Sequence, residues 1–189
     1  MGNITSLVNA VRYIGYETQL VDKSDDLAKY NMLILPGVGA FPNAMRRLRE
    51  SGLYYAIREA AFSGKKVIGI CLGMQLLFSQ SSEFTDTKGL DIVPGTVSPF
   101  KARIDLKVPH IGWNNVETSA ETFTKLTGDY YFVHSFYGQP EDKADILFTA
   151  NYGIDFCAAV RRGDNIFGFQ FHPEKSQQLG LDLLKQVLC

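Results

Sequence analysis

The chain has 189 residues, a formal net charge of −1 and an isoelectric point near 6.3, so it carries no electrostatic footprint for nucleic acid or an anionic membrane. No apolar run reaches the roughly 18 to 20 residues of a membrane span, and the N-terminus lacks the basic and apolar regions of a signal peptide; the expectation is a cytoplasmic protein. Its cysteines, Cys71, Cys157 and Cys189, are odd in number and lack Cys-x-x-Cys spacing, which argues against a disulfide framework and a structural zinc.

In chain order, apolar residues at 4, 7, 8, 11 and 14 mark one face of a helix that Gly15 should stop. Residues 18–21 read as a short strand and 31–35 as a buried one, running into Pro36-Gly37-Val38-Gly39. Helices follow over 42–51, with Pro in the first turn, and over 53–62. A β-branched run at 66–70 leads through Gly69-Ile70-Cys71-Leu72-Gly73 into a helix-forming stretch to Phe78. The alternation predicts a mostly parallel sheet covered on both faces. Beyond Gln80 the texture changes: a polar loop over 81–88, then short β-prone pieces among prolines and glycines over 92–115, which predict antiparallel additions. Residues 129–134 and 145–150 read as strands, 158–171 as a hairpin turning at Gly163-Asp164-Asn165, and 176–188 as a closing helix. The length suits one well-buried domain over 1–189.

Gly-x-Cys-x-Gly between strand and helix is a nucleophile elbow. Its glycines let the chain fold back without a Cβ clash, and the turn lifts Cys71 above the sheet edge near the first helical N–H groups. Those groups lower a thiol pKa and offer a donor to a developing oxyanion. The competing reading is a buried core thiol, which is also the reading for Cys157; Cys189 carries no specific expectation. A nucleophilic thiol needs a base, and the base needs an orienting group. Of the three histidines, His110 reads as a satisfied loop residue, and His134 ends a strand in either a structural or a catalytic role. His172 is followed by Pro173-Glu174, which puts an imidazole and a carboxylate together at a strand end. That pair is the best candidate for base and orienter.

Gly-Ile-Cys-Leu-Gly-Met-Gln (69–75), Gly-Phe-Gln-Phe-His-Pro-Glu-Lys-Ser (168–176) and Pro-Gly-Val-Gly (36–39) resemble the class I, triad-type glutamine amidotransferases. Val-Pro-His-Ile-Gly-Trp-Asn (108–114), Tyr-Phe-Val-His-Ser (131–135) and Ala-Ala-Val-Arg-Arg-Gly (158–163) narrow it to a resemblance to glutaminase subunits of imidazole glycerol phosphate synthase. The resemblance implies a flavodoxin-like α/β three-layer sandwich. It also implies a Cys71–His172–Glu174 triad that hydrolyses L-glutamine through a thioester; no metal or cofactor is expected, since the histidines lack ligand spacing and there is no phosphate-binding glycine loop. Leu72 and the loop of Gly37, Val38 and Gly39 would supply oxyanion donors, the loop acting as a switch, and Gln75, Ser135 and Phe136 would hold the substrate. Ammonia would pass to a (β/α)₈ barrel cyclase subunit facing Asn3, Trp113, Asn114 and Lys175.

Two departures stand out. Family members usually place Tyr after His-Ser, where this chain has Phe136 followed by Tyr137. They also carry an apolar strand ahead of the Met1-Gly2-Asn3 match; the resemblance implies that this strand is missing here, and that an extension by about ten residues would be stabilising. A paralogous glutaminase feeding a sugar amidotransferase in surface polysaccharide synthesis keeps the chemistry and changes the acceptor. A non-catalytic binding subunit is the reading from another class.

Overall fold

The computed structural model describes residues 2–189, excluding the side chains of residues 2, 3, 25, 26 and 102. The chain runs α1 (Gly2–Tyr13), β1 (Met32–Leu35), α2 (Phe41–Glu50), α3 (Leu53–Phe62), β2 (Lys66–Ile70), α4 (Leu72–Leu76), β3 (Phe78–Ser81) and β4 (Thr87–Lys88). It continues through β5 (Val93–Pro99), β6 (His110–Val116), β7 (Gly128–His134), β8 (Phe136–Pro140), β9 (Ile146–Asn151), β10 (Asp155–Arg162), β11 (Ile166–Phe169) and α5 (Gln177–Leu188).

Nine strands form one sheet in the order β1-β2-β11-β10-β8-β5-β3-β4, with β9 also paired to β10, while β6 and β7 make a separate ribbon. The expected α/β architecture is present, a parallel part with antiparallel strands added to it, so that the sheet as a whole is mixed. Only β1–β2, β2–β11 and β3–β5 are parallel. The tight turn after Arg162 can join only antiparallel strands, and β8 then pairs antiparallel to both β10 and β5. The parallel part keeps helical crossovers, α2 and α3 lying between β1 and β2.

Strand alternation divides the core. Val67 joins a cluster with Phe41, Met45 and Ile57 under α2 and α3, whereas Ile68 and Ile70 point to the other face, with Leu7 and Val11 of α1 and Leu183 and Leu184 of α5. Helix α1 ends as its sequence predicts: Gly15 takes φ +99°, Tyr16 N–H bonds Val11 O and Gly15 N–H bonds Arg12 O, the two bonds of a Schellman cap.

Other expectations are corrected. Residues 18–21 form no strand; no neighbouring strand pairs with them among the described residues, and Leu20 is exposed. Helix α4 stops at Leu76 and does not reach Phe78, because Phe78 opens β3 and its ring fills the space beside Gly138, where a Cβ would lie 2.3 Å from it. Strand β8 has no counterpart among the elements read from sequence, where the chain between 134 and 145 carries no assignment.

Candidate active site

Strands β2 and β11 are parallel neighbours in register, Gly69 opposite Gly168 and Ile70 opposite Phe169. Both therefore end at the same sheet edge. Cys71 follows β2 directly, its N–H bonding Phe169 O at 2.7 Å, and His172 follows β11 by three residues. The elbow is tight: Cys71 itself takes φ +55°, ψ −113°, a conformation that non-glycine residues hold only when the surroundings enforce it. The flanking glycines supply space. A Cβ on Gly69 would lie 2.5 Å from Gly73 O, and one on Gly73 would lie 1.8 Å from Leu35 O.

His172 is held from several directions. Its N–H bonds Tyr131 O at 2.9 Å, its carbonyl accepts from Ser176 Oγ at 2.7 Å, and Ser176 Oγ in turn accepts from Tyr131 N–H at 3.1 Å. Ser176 is thus a pin between β7 and the loop that carries the imidazole. Glu174 Oε1 lies 2.9 Å from His172 Nδ1, both side chains being 1 % exposed. Burial works against the imidazolium, but hydrogen bonds to Cys71 and Glu174, and the charges of the same two groups, outweigh it and raise the His172 pKa to about 9. The ring is therefore a strong proton acceptor beside the thiol.

A cleft of about 860 Å³ opens over Cys71, lined by Val38, Gly39, Leu72, Gln75, Ser135, Phe136 and His172, with Glu83, Phe84 and Lys175 also on its walls. Nine of the site and interface residues expected from sequence thus meet around one cavity, Cys71 and Lys175 included. Gly37 does not line it: a Cβ there would lie 2.8 Å from Gly73 N and from Leu72 Cβ, so its smallness lets the 36–39 loop lie against the elbow. Gly39, at φ +101°, gives that loop a left-handed turn.

The interface expectations separate. Trp113 is half exposed on the outer face of β6, opposite Tyr131, with ring centroids 6.0 Å apart, and Lys175 Nζ sits 5.5 Å above the Tyr131 ring. Trp113 and Lys175 are therefore joined through Tyr131. Asn114 alternates to the inner face and donates to Asn151 O at 2.8 Å. The Asn3 side chain lies outside the described residues. Among the described residues no group of three or more His, Cys, Asp and Glu is placed to hold a metal ion, and no helix is long and apolar enough to cross a membrane. Cys157 is buried, its thiol donating to Ala159 O at 3.2 Å, and burial pushes its pKa up.

Three features of the site were not read from sequence. Glu83 looks like loop polarity, yet its carboxylate accepts the Phe41 N–H at 2.7 Å at the start of α2 and faces the cleft. Ser176 looks like a helix cap. His110 and His134, 24 positions apart, are directly opposed across β6 and β7, which only the pairing of those strands discloses.

An elbow cysteine, a buried imidazole–carboxylate pair and a glycine loop meet at one sheet edge, the arrangement that thiol acyl transfer requires. The profile of the family described as Glutamine amidotransferase class-I matches residues 1–188, and the chain belongs to that family. Among individual relatives it is 44% identical to the imidazole glycerol phosphate synthase subunit HisH of Carboxydothermus hydrogenoformans, over 99% of this chain and 94% of that one. It is 45% identical to the same subunit of Moorella thermoacetica, over 98% and 89%. A crystal structure of a glutamine amidotransferase shares its fold with a TM-score of 0.78 at 20% identity, over 99% of this chain and 94% of that one. PurLQS from Thermotoga maritima does so at 0.74 and 19%, over 97% and 91%.

Proposed function

We propose that this chain is the glutaminase subunit of an imidazole glycerol phosphate synthase, acting in histidine biosynthesis in the cytoplasm. The observation that carries the reading is the placement of Cys71, His172 and Glu174 at the shared end of β2 and β11, over a cleft of about 860 Å³. The HisH relatives, matched over nearly their whole length, support the pathway.

Cys71 gives its thiol proton to His172, whose raised basicity favours the transfer, and Sγ attacks the side-chain amide carbon of L-glutamine. Glu174 holds the imidazole through Nδ1, leaving Nε2 for the reacting side. The oxyanion meets the Leu72 N–H, one of the helix-start donors without an intrahelical partner, and a second donor from the 37–39 loop. His172 returns the proton to the departing nitrogen, which leaves as ammonia, and a water activated by the same ring hydrolyses the thioester to glutamate. Gln75, Ser135 and Phe136 hold the amino-acid part of the substrate, and Glu83 places a negative charge on the cleft wall for its ammonium. Ammonia then passes to a (β/α)₈ cyclase subunit that docks on the Trp113–Tyr131–Lys175 face.

The test is glutamine hydrolysis by the chain mixed with a cyclase subunit, with and without the cyclase's nucleotide-derived ligand. Hydrolysis that needs both is the expected result. Hydrolysis indifferent to the ligand would redirect the ammonia to another acceptor, such as a sugar amidotransferase. No hydrolysis by the folded complex would overturn the enzymatic reading in favour of a binding subunit.

A further inference from the structure

His110 and His134 are buried, 3 % and 6 % exposed, and their rings meet with His110 Nδ1 2.9 Å from His134 Nε2. His134 Nδ1 lies 2.8 Å from the Phe136 carbonyl oxygen. A carbonyl only accepts, so Nδ1 of His134 carries the hydrogen; in a neutral ring its Nε2 is then a bare lone pair. His110 must therefore donate from Nδ1. Its own Nε2 becomes the acceptor and faces Asn114 Nδ2 at 3.4 Å. One carbonyl thus fixes the tautomers of both rings. Burial supports the neutral forms: it lowers the His110 pKa to about 4, and it is the largest of the causes that lower His134 to about 3. His110 is further clamped between the Tyr152 ring, at a centroid distance of 4.1 Å, and the Phe132 ring, at 4.9 Å, both nearly parallel to it.

The chain of bonds does not end at Phe136. The same carbonyl accepts from Gln75 Nε2 at 3.0 Å, and Gln75 Nε2 also donates to Gln170 Oε1 at 3.0 Å. With both amide hydrogens engaged, Gln75 has Oε1 as the polar atom it can turn to a ligand. Gln170 Nε2 in turn lies 4.0 Å from Cys71 Sγ. His134, Phe136, Gln75 and Cys71 all line the cleft.

We propose that His134, locked by His110, is a positioning residue of the substrate pocket: the two imidazoles form a strut that fixes the Phe136 carbonyl and, through it, the orientation of the Gln75 amide toward an amino-acid ligand. The strut rests on the glutaminase reading only for the identity of that ligand. It also gives the Phe136 position a rationale independent of any phenol, because the contact that matters there is made by main chain.

The test uses the full chain with two variants. His110→Phe keeps a ring between Tyr152 and Phe132 and removes the donor to His134; His134→Phe removes the donor to Phe136. Glutamine protection of Cys71 against alkylation by iodoacetamide, followed by mass spectrometry, reads affinity for the cleft. Losing one buried hydrogen bond that orders a ligand contact should raise the half-protecting glutamine concentration about tenfold in His134→Phe and several-fold in His110→Phe. The alkylation rate without glutamine, measured for each variant, sets the zero of its own protection curve, so that a change in thiol reactivity is not read as a change in affinity. A fall in melting temperature with unchanged half-protecting concentration would overturn the strut and leave a core histidine pair. Long-range proton–nitrogen correlation spectra of the wild-type chain, labelled with ¹⁵N-histidine, give a readout that needs no variant. Nδ1–H at both rings is required, and Nε2–H at either overturns the proposal. Absence of protection by glutamine in the wild-type chain would count against the glutaminase reading, and the tautomer spectrum would then decide the strut by itself.

Discussion

Gly168 of β11 lies directly opposite Gly69 of β2, and α4 crosses above both. A Cβ on Gly69 would strike Gly73 O at 2.5 Å, and one on Gly168 would lie 2.7 Å from Met74 Cγ. The two bare positions let the helix after Cys71 sit down on the parallel strand pair. That seat aims Cys71 toward the loop that carries His172, so the placement of both residues depends on the same close contact.

The same sensitivity recurs at α5. A Cβ on Gly180 would lie 1.9 Å from Pro173 O, a backbone atom in the middle of His172-Pro173-Glu174. Gly180→Ala should destabilise by about 3 kcal/mol through overpacking and should lower turnover more than it raises KM, because the loop that shifts carries the base. A thermal melt paired with glutamine kinetics checks both effects; an unchanged melt would show that the loop yields freely.

Ser176→Ala removes the hydroxyl that donates to His172 O and accepts from Tyr131 N–H. It leaves a part-buried N–H without its acceptor, at about 1 kcal/mol. Urea titration should show that loss, with kcat several-fold lower. Retention of full kcat would mean that the pin matters to folding alone.

The three histidines predict the shape of stability against pH. His172, raised to about 9 from 6.5, binds a proton in the folded chain that the unfolded chain lacks between those values. Its contribution is complete below pH 6.5 and is lost as pH climbs through 9, on the order of 3 kcal/mol in all. His110 and His134, lowered to about 4 and about 3, do the reverse: below pH 6.5 the unfolded chain takes up protons that the folded chain refuses, so stability falls with falling pH. The melting temperature should therefore peak near pH 6.5. Glu174→Gln should flatten the alkaline limb, and His110→Phe should flatten the acid limb. An alkaline limb unchanged in Glu174→Gln would show that Glu174 does not support the imidazolium.

Trp113 is 49% exposed beside Ile111 at 58%, two large apolar groups on the outer face of β6. If that face docks a partner subunit, Trp113→Ala should weaken association by at least about 2 kcal/mol while leaving the melting temperature of the free chain unchanged. Titration calorimetry against the cyclase subunit measures it, and equal affinities would move the interface elsewhere.

The elements that sequence discloses best are those whose period and punctuation agree: α1 with its Gly15 cap, the elbow, and the β10–β11 hairpin at Gly163. Cys71, His172 and Glu174 were legible because the motif residues lie next to strand ends, and strand ends of parallel neighbours converge. What stayed hidden depends on pairing across long separations. The opposition of His110 and His134 needs the β6–β7 register, and the role of Glu83 needs its 42-residue reach to the Phe41 N–H. The end of α4 at Leu76 was also illegible, since the apolar run to Phe78 fits helix and strand alike until the packing of Phe78 against Gly138 decides it.

The most direct measurement is mass spectrometry of the Cys71 peptide after brief incubation of the complex with glutamine and an acid quench. A glutamyl group on Cys71 in the wild-type chain, absent together with all glutamine hydrolysis in Cys71→Ala, is the predicted result. Hydrolysis that persists in Cys71→Ala, or a turning-over wild-type enzyme whose Cys71 is never acylated under any quench time, would contradict the account.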